Sequence, residues 1–152
     1  MQMTDKSAYL TTEEMWGRLF SSPSVNSFMT AGDEYTELPG LSDYITELCS
    51  AGSVKPEVVI RRANIERSYG HRLFRGSRNP SRDTVLQLAF GFGMDVKDAQ
   101  QLLKVARHAA LHPKVRRDAV IAFGLENGWS VIETQQCLYD NDMPLMGGAS
   151  HV

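Results

Sequence analysis

Arginine side chains are concentrated in residues 61–82, and guanidinium groups at this density are suited to binding anions. The segment holds seven arginines together with His71 in twenty-two positions. A guanidinium holds a phosphate through paired hydrogen bonds, and it can also clamp the O6 and N7 atoms of guanine. The residue order predicts a short basic helix, a turn, a second basic helix and the closing stretch Gly-Ser-Arg-Asn-Pro-Ser at 76–81. That layout is typical of a helix-turn-helix, whose second helix lies in the DNA major groove.

The charge of the chain falls into three regions. Residues 52–117 hold fourteen Lys and Arg against five Asp and Glu, a net charge of +9, whereas residues 1–51 carry −6 and residues 118–152 carry −5. The whole-chain charge of −2 therefore hides a cationic centre between two acidic ends. Arginines along a helix most often form a solvated face, so charge alone is weak support for nucleic-acid binding. The coincidence of that charge with the predicted turn is what favours DNA.

The bulk properties set outer bounds on the chain. Its 152 residues suit one compact domain of roughly 100–150 residues with an appended segment. The sequence shows neither a signal peptide nor an apolar run of the ~20 residues that a membrane helix needs, so we expect a cytoplasmic, nucleoid-associated protein with no membrane contact. Cys49 and Cys137 are too few for a disulfide framework and are expected to be small apolar residues on helices.

Residues 1–40 form an acidic N-terminal segment that we expect to be partly helical or mobile. Thr11 and Glu14 have the spacing of a capping box, ahead of an apolar face that includes Trp16 and Phe20. A second short helix is predicted from Ser24 to about residue 30. Helices this short are not stable alone, so these pieces either dock on a surface or stay mobile.

Residues 41–107 predict five helices, and no strand-like alternation competes with them. Asn64 and Ile65 make the tight turn between the second and third, because Asn tolerates the left-handed conformation that such a turn needs. The predicted helices run from a cap at Ser42 to Ala51, from Pro56 to about Ala63, from about Glu66 to Phe74, from a cap at Ser81 to Gly93, and from a cap at Asp95 to about Ala106.

Residues 108–140 predict a C-terminal helical extension, and residues 141–152 a flexible tail. One helix is expected to begin at Pro113 and to end at Asn127, and another follows a capping box formed by Ser130 and Glu133. The fold class is therefore predicted to be all-α.

The residues after the turn resemble a known family. Ala63-Asn64-Ile65 stands where the XRE family of bacterial and phage regulators, the Cro and lambda-repressor type, has Ala-Gly-Val. The stretch from Arg75 to Ala89 is similar to the family pattern at nearly every position, and the resemblance covers about a third of the chain, residues 52–98. It implies a lambda-repressor-like five-helix DNA-binding domain. Three departures affect the DNA sequence that would be read more than the fold: Pro56 in place of a Gln, Phe74 in place of a Glu, and Gly70 in place of a branched apolar residue.

The resemblance implies a set of base contacts on the second helix of the motif. Arg67, Ser68, His71 and Arg72 would face the major groove, and helical spacing places 68, 71, 72 and 75 on one face. Tyr69 has two open interpretations, a contact with a thymine methyl group or a place in the core. Tyr69 and Phe74 are also candidates to pack inward in compensation for Gly70.

The same resemblance implies phosphate contacts around that helix. Side chains after the helix, and at the start of the next one, would hold the DNA backbone together with two arginines that precede the turn. These residues are Arg61, Arg62, Arg75, Ser77, Arg78, Asn79, Ser81 and Arg82.

Catalytic and metal chemistry is not expected. His108 and His112 lie four residues apart, as helical zinc ligands do, but Pro113 indicates that the helix has ended and no third ligand is near. Gly91-Phe92-Gly93 lacks the features of a phosphate loop. No grouping of nucleophile, base and acid is present, so we expect neither an enzyme nor a cofactor.

The sequence therefore predicts a DNA-binding transcriptional regulator that acts as a homodimer on a double-stranded, pseudo-palindromic operator. It does not identify a small-molecule effector. The alternative is a protein–protein adaptor or antitoxin-like partner that reuses the helix-turn-helix without sequence-specific DNA binding.

Overall fold

A computed structural model of the chain describes residues 11–30 and 39–147, and within these ranges the protein is entirely helical, as predicted. The chain divides into two compact units, one over Gln2–Pro39 and one from Gly40 to Val152. The described helices are α1 (Thr12–Ser21), α2 (Val25–Thr30), α3 (Leu41–Ala51), α4 (Pro56–Arg62), α5 (Arg67–Arg75), α6 (Arg82–Phe92), α7 (Val96–Val105), α8 (Arg116–Glu126) and α9 (Val131–Asp140). No described helix combines the length and the apolar composition that a membrane span requires.

The N-terminal unit contains α1 and α2. Thr11 caps α1, and the capping box with Glu14 is formed, as predicted. Neither helix has a buried residue. The rings of Trp16 and Phe20 stack with centroids 5.4 Å apart, and both side chains remain mainly exposed.

Helix α6 is the centre of the larger unit. Every residue from Val85 to Gly91 is buried, because α4, α7 and α9 all pack against α6. Helix α3 packs on α5 and α7, and the α8–α9 pair joins the unit through α7 and α6. Large apolar side chains from all these elements, including Ile45, Leu102 and Leu138, are fully buried.

Local signals placed most helix ends correctly. Ser81, Asp95 and Ser130 cap α6, α7 and α9 through their side chains. Gly76 and Gly93 end α5 and α6 in the left-handed conformation, with φ of +80° and +69°.

Two predicted helix starts were wrong. Helix α3 begins at Leu41 after Gly40, which makes no side-chain cap. Ser42 instead lies inside the first turn of α3, where its Oγ is close to Gly76: a Cβ added at Gly76 would sit 2.9 Å away. Helix α8 begins at Arg116, because Pro113 forms a turn in which the Val115 N–H donates to the carbonyl of His112.

The prediction of a flexible tail from 141 was wrong for residues 141–147, which pack on the helical unit. Met146 is 1% exposed. Gln135 holds its backbone from both sides: the Met146 N–H donates to Gln135 Oε1 (2.8 Å), and Gln135 Nε2 donates to the Met146 carbonyl (2.9 Å). Residues 148–152 lie outside the described residues.

Candidate nucleic-acid interface

A tight turn joins α4 and α5, and a side chain from α6 holds it. Asn64 adopts the predicted left-handed conformation, with φ of +59°. Buried Gln87 donates from Nε2 to the carbonyl oxygens of Ala63 (3.0 Å) and Asn64 (3.3 Å). These carbonyls lie at the C-cap of α4 and one residue beyond it, where the helix provides no N–H partner. Sequence reasoning missed this role of Gln87, because its partners lie 23 and 24 residues away along the chain.

Glycine allows α5 to lie close against α4. Gly70 is buried, and a Cβ added there would sit 2.5 Å from Cγ2 of Ile60. The space that a branched residue at position 70 would occupy is therefore filled by Ile60. This differs from the expected compensation by Tyr69 and Phe74, both of which are only half-buried.

The first turn of α5 is capped by an acid. Glu66 accepts hydrogen bonds from the backbone N–H groups of Ser68 and Tyr69, both at 2.9 Å. These bonds hold the pKa of Glu66 below its usual range, with that from Ser68 the larger cause. Glutamate is an uncommon N-cap, so this role of Glu66 is difficult to predict from residue type alone. Ser68 itself is exposed beside the cap.

Arg67 and His71, two of the predicted base-contacting residues, meet on one carboxylate of α4. Arg67 donates from Nε to Glu57 Oε2 (2.7 Å), and His71 Nε2 lies 3.0 Å from Glu57 Oε1. The hydrogen bond from Arg67, then that from His71, lowers the pKa of Glu57 to about 2. We call these three residues the Glu57 cluster. Its arginine is the most exposed member, with 75% of its side chain accessible.

The remaining predicted base contacts, Tyr69 and Arg72, lie against each other. The guanidinium carbon of Arg72 is 5.8 Å from the centroid of the Tyr69 ring, within the range of a cation–π contact. Both side chains are half-buried, and Nε of Arg72 is buried without a hydrogen-bond partner among the described residues. Tyr69 therefore lies at the edge of the surface and outside the buried core.

Most of the predicted phosphate contacts are exposed side chains that end helices or follow them. Arg61 and Arg62 close α4, and Arg75 closes α5. Ser77 donates from Oγ to the Arg72 carbonyl at 3.3 Å, and Ser81 caps α6. The exposed members are Arg61, Arg62, Arg75, Ser77, Arg78, Asn79 and Ser81.

Arg82 is the exception in the predicted phosphate set. It donates to both carboxylate oxygens of Asp118 at 3.0 Å, from Nε to the Ala109 carbonyl (2.9 Å) and from Nη2 to the Ala110 carbonyl (3.1 Å). Asp118 is only 4% exposed. Because most of its donors are already used inside the protein, Arg82 has an internal partner where the sequence predicted a phosphate.

A second ion pair runs in the opposite direction between the same two helices. Arg117 donates to both oxygens of Asp83 at 3.0 Å and to the carbonyls of Pro144 and Leu145. Burial alone would raise the pKa of Asp83, but the hydrogen bonds from Arg117 and the Gly147 N–H outweigh it, and the pKa is lowered. Together the two pairs form what we call the Arg–Asp clamp, between the first turns of α6 and α8.

The groups considered for other chemistry have local partners. His108 Nε2 contacts the Pro80 carbonyl at 2.8 Å, and His112 Nδ1 accepts from the Lys114 N–H at 3.0 Å. Burial raises the pKa of Cys49 to about 11, so its thiol is unreactive at neutral pH. Residues 11–30 and 39–147 contain no group of three His, Cys, Asp or Glu side chains that could hold a metal ion.

Comparison with known proteins supplies no relative for this chain. No family model matches it, and neither a curated protein nor a solved structure does.

Proposed function

We propose that the protein is a sequence-specific DNA-binding transcriptional regulator of the XRE type, with α3–α7 as its lambda-repressor-like five-helix domain. Helix α5 would enter the major groove. The observation that supports this most is the pairing of a short helix, fixed by a tight turn, with an exposed basic face. Cytoplasmic location, beside the nucleoid, follows from a DNA target.

The dimensions of α5 suit a groove. Its nine residues make a helix about 13.5 Å long at 1.5 Å per residue, and an α-helix with its side chains is about 10–12 Å across, which matches the major-groove width of about 12 Å. Gly70 and Leu73 face the interior and anchor the helix, while Arg67 and Arg75 point to solvent. A helix held this way presents side chains to base edges without rearranging its backbone.

The charges around α5 favour a polyanion. Exposed arginines lie in the last turns of both helices of the motif, so the surface can bind phosphates on either side of the groove. Two acids beside this surface, Glu57 and Glu66, are already used in hydrogen bonds with groups on α5. Their charge is therefore partly neutralised at the surface that would meet DNA.

A homodimer would place two α5 helices on one face of the duplex. Two-fold symmetry then requires half-sites about 34 Å apart, one turn of DNA. The operator would be pseudo-palindromic for the same reason.

The test is selection of bound sequences from a random duplex pool, followed by affinity measurements over a range of salt concentrations. We expect a defined operator and an affinity that falls steeply with salt, because each neutralised phosphate releases counterions.

Arg67→Ala should reduce the preference for the selected duplex over a scrambled one, and circular dichroism should not change. Lys97→Ala removes an equal charge from an exposed position on α7 and should leave the preference intact. Recovery of no sequence from the pool would refute the proposal.

A second candidate function is a protein–protein adaptor or antitoxin-like partner. It is favoured by large apolar side chains that stay exposed on the C-terminal pair of helices: Phe123 on α8, and Ile132 and Tyr139 on α9, are each more than half exposed. Ile132 and Tyr139 are seven residues apart and so share one face of α9. An adaptor would bind no duplex selectively, and substitution of these three residues would abolish its partner binding while leaving α5 intact.

A further inference from the structure

We infer that Glu57 is a specificity-determining residue of the DNA-reading surface, which holds Arg67 in position to read a guanine. This inference rests on the proposed function. It adds Glu57, a residue of α4 that is not among the predicted DNA-contacting residues. It also specifies the base that Arg67 would read, a guanine contacted through its major-groove edge.

The contacts of the Glu57 cluster restrain the side chain of Arg67. Glu57 lies in the first turn of α4, whereas Arg67 and His71 lie on α5, so the cluster ties the outer face of α5 to its neighbour. Each carboxylate oxygen has its own partner on α5, at 2.7 and 3.0 Å. Two partners on two oxygens fix the rotation of the carboxylate, and they restrain a long arginine side chain that would otherwise sample many rotamers.

The two terminal nitrogens of the Arg67 guanidinium are available to bind a base. Its Nε–H is occupied by Glu57, while Nη1 and Nη2 make no hydrogen bond with any described residue. The guanidinium therefore meets a ligand end-on, with two parallel terminal N–H groups. The major-groove edge of guanine offers two adjacent acceptors, O6 and N7, and no other base presents that pair.

The negative charge of Glu57 affects both the affinity and the selectivity for DNA. A carboxylate 45% exposed beside a DNA surface repels phosphates, and this lowers the affinity for every duplex. Specificity depends on the difference between the binding free energies for two duplexes, so a residue can weaken binding to both duplexes and still increase that difference. Without Glu57, Arg67 would be free to turn toward any nearby phosphate, and α5 would bind DNA more tightly and less selectively.

The experiment compares Glu57→Ala with wild type on two duplexes, one selected by the wild-type protein from a random pool and one scrambled from it. We expect Glu57→Ala to bind the scrambled duplex more tightly, and the ratio of the two affinities to fall by roughly five- to 150-fold, the range for loss of one bidentate base contact. The salt dependence should steepen by about one phosphate. Glu57→Gln keeps an oxygen that can accept from Arg67 Nε, so it should retain part of the ratio.

Two further variants isolate the role of positioning. Glu47→Ala changes the net charge equally at an exposed site on α3, and it should leave the ratio unchanged. In an Arg67→Ala background, Glu57→Ala should have a much smaller effect on the ratio, because only the contact of Glu57 with His71 is left to lose.

Each outcome separates this inference from the proposed function. If wild type selects a sequence and Glu57→Ala keeps its ratio, Glu57 does not set specificity and the inference is overturned while the function stands. A parallel loss of affinity for both duplexes would show a merely structural role and would also overturn it. If wild type selects no sequence at all, the proposed function fails first.

Discussion

Arg82 and Asp118 form a two-bonded ion pair across the first turns of α6 and α8, and Asp83 and Arg117 form its reciprocal. Each helix contributes one arginine and one aspartate that are adjacent in sequence. The two arginines of the clamp also donate to the carbonyls of residues 109, 110, 144 and 145, so the clamp holds two connecting segments against the first turns of α6 and α8. The extension after the predicted five-helix domain is therefore tied to the helix that supports the α4–α5 turn.

Removal of Asp118 should strongly destabilise the protein. Asp118→Asn leaves the largely buried guanidinium of Arg82 without its counter-charge, and we expect a loss of about 3 kcal/mol in the free energy of unfolding. Urea titration measures this. Glu47→Ala, at an exposed position on α3, serves as the control and should unfold near wild type. A change below about 1 kcal/mol for Asp118→Asn would contradict the view that the clamp is structural.

The pH dependence of stability should report the other half of the clamp. The pKa of Asp83 is lower in the folded protein than its usual value of 3.8, so folding favours the ionised carboxylate. Its contribution is complete above about pH 4 and is lost as the pH falls through the folded-state pKa. The stability difference between wild type and Asp83→Asn should therefore shrink progressively below pH 4 and stay constant from pH 5 to 7. A difference that grows on acidification would reverse the assigned sign.

Gly70→Ala should destabilise the protein by about 1–3 kcal/mol, because the added methyl group would overlap Ile60. Chemical denaturation checks this. Gly40→Ala is the matched control, since no atom lies within 4 Å of a Cβ there. In an Ile60→Ala background the space is empty, so Gly70→Ala should become much less harmful. Additive effects in the double variant would mean that the two residues are not in contact.

The features that could be predicted from the sequence are those set by nearby residues. Ser81, Asp95 and Ser130 were identified as caps because a cap bonds to a backbone N–H only three residues away. The left-handed turn at Asn64 was predictable for the same reason. The start of α3 was predicted wrongly because Ser42 is the residue type that favours a cap, whereas the structure caps the helix two positions earlier with the backbone of Gly40, and Ser42 Oγ lies beside Gly76, 34 positions later.

The features that could not be predicted depend on partners far along the chain. Arg82 has the side-chain type and the sequence position expected of a phosphate-binding residue. Only the packed fold brings Asp118, 36 residues later, to its guanidinium. In the sequence Glu57 is only one of five acids in a basic region, and its two partners on α5 come close to it only when α4 and α5 pack together. Spacing alone does not choose among the many possible arginine–carboxylate pairs, because tertiary packing selects them.

Gln87 should control both stability and DNA binding through the α4–α5 turn. Gln87→Leu preserves the bulk of the side chain but leaves the Ala63 and Asn64 carbonyls without their donor, which should cost about 1–3 kcal/mol. Amide hydrogen exchange in the first turn of α5 should become faster, because the turn that fixes its start is loosened. Affinity for the selected and scrambled duplexes should fall together, in contrast to Glu57→Ala, since a loosened helix loses phosphate and base contacts alike. Gln136→Leu on the exposed face of α9 is the control. Unchanged exchange in Gln87→Leu would show that the turn is held by packing alone.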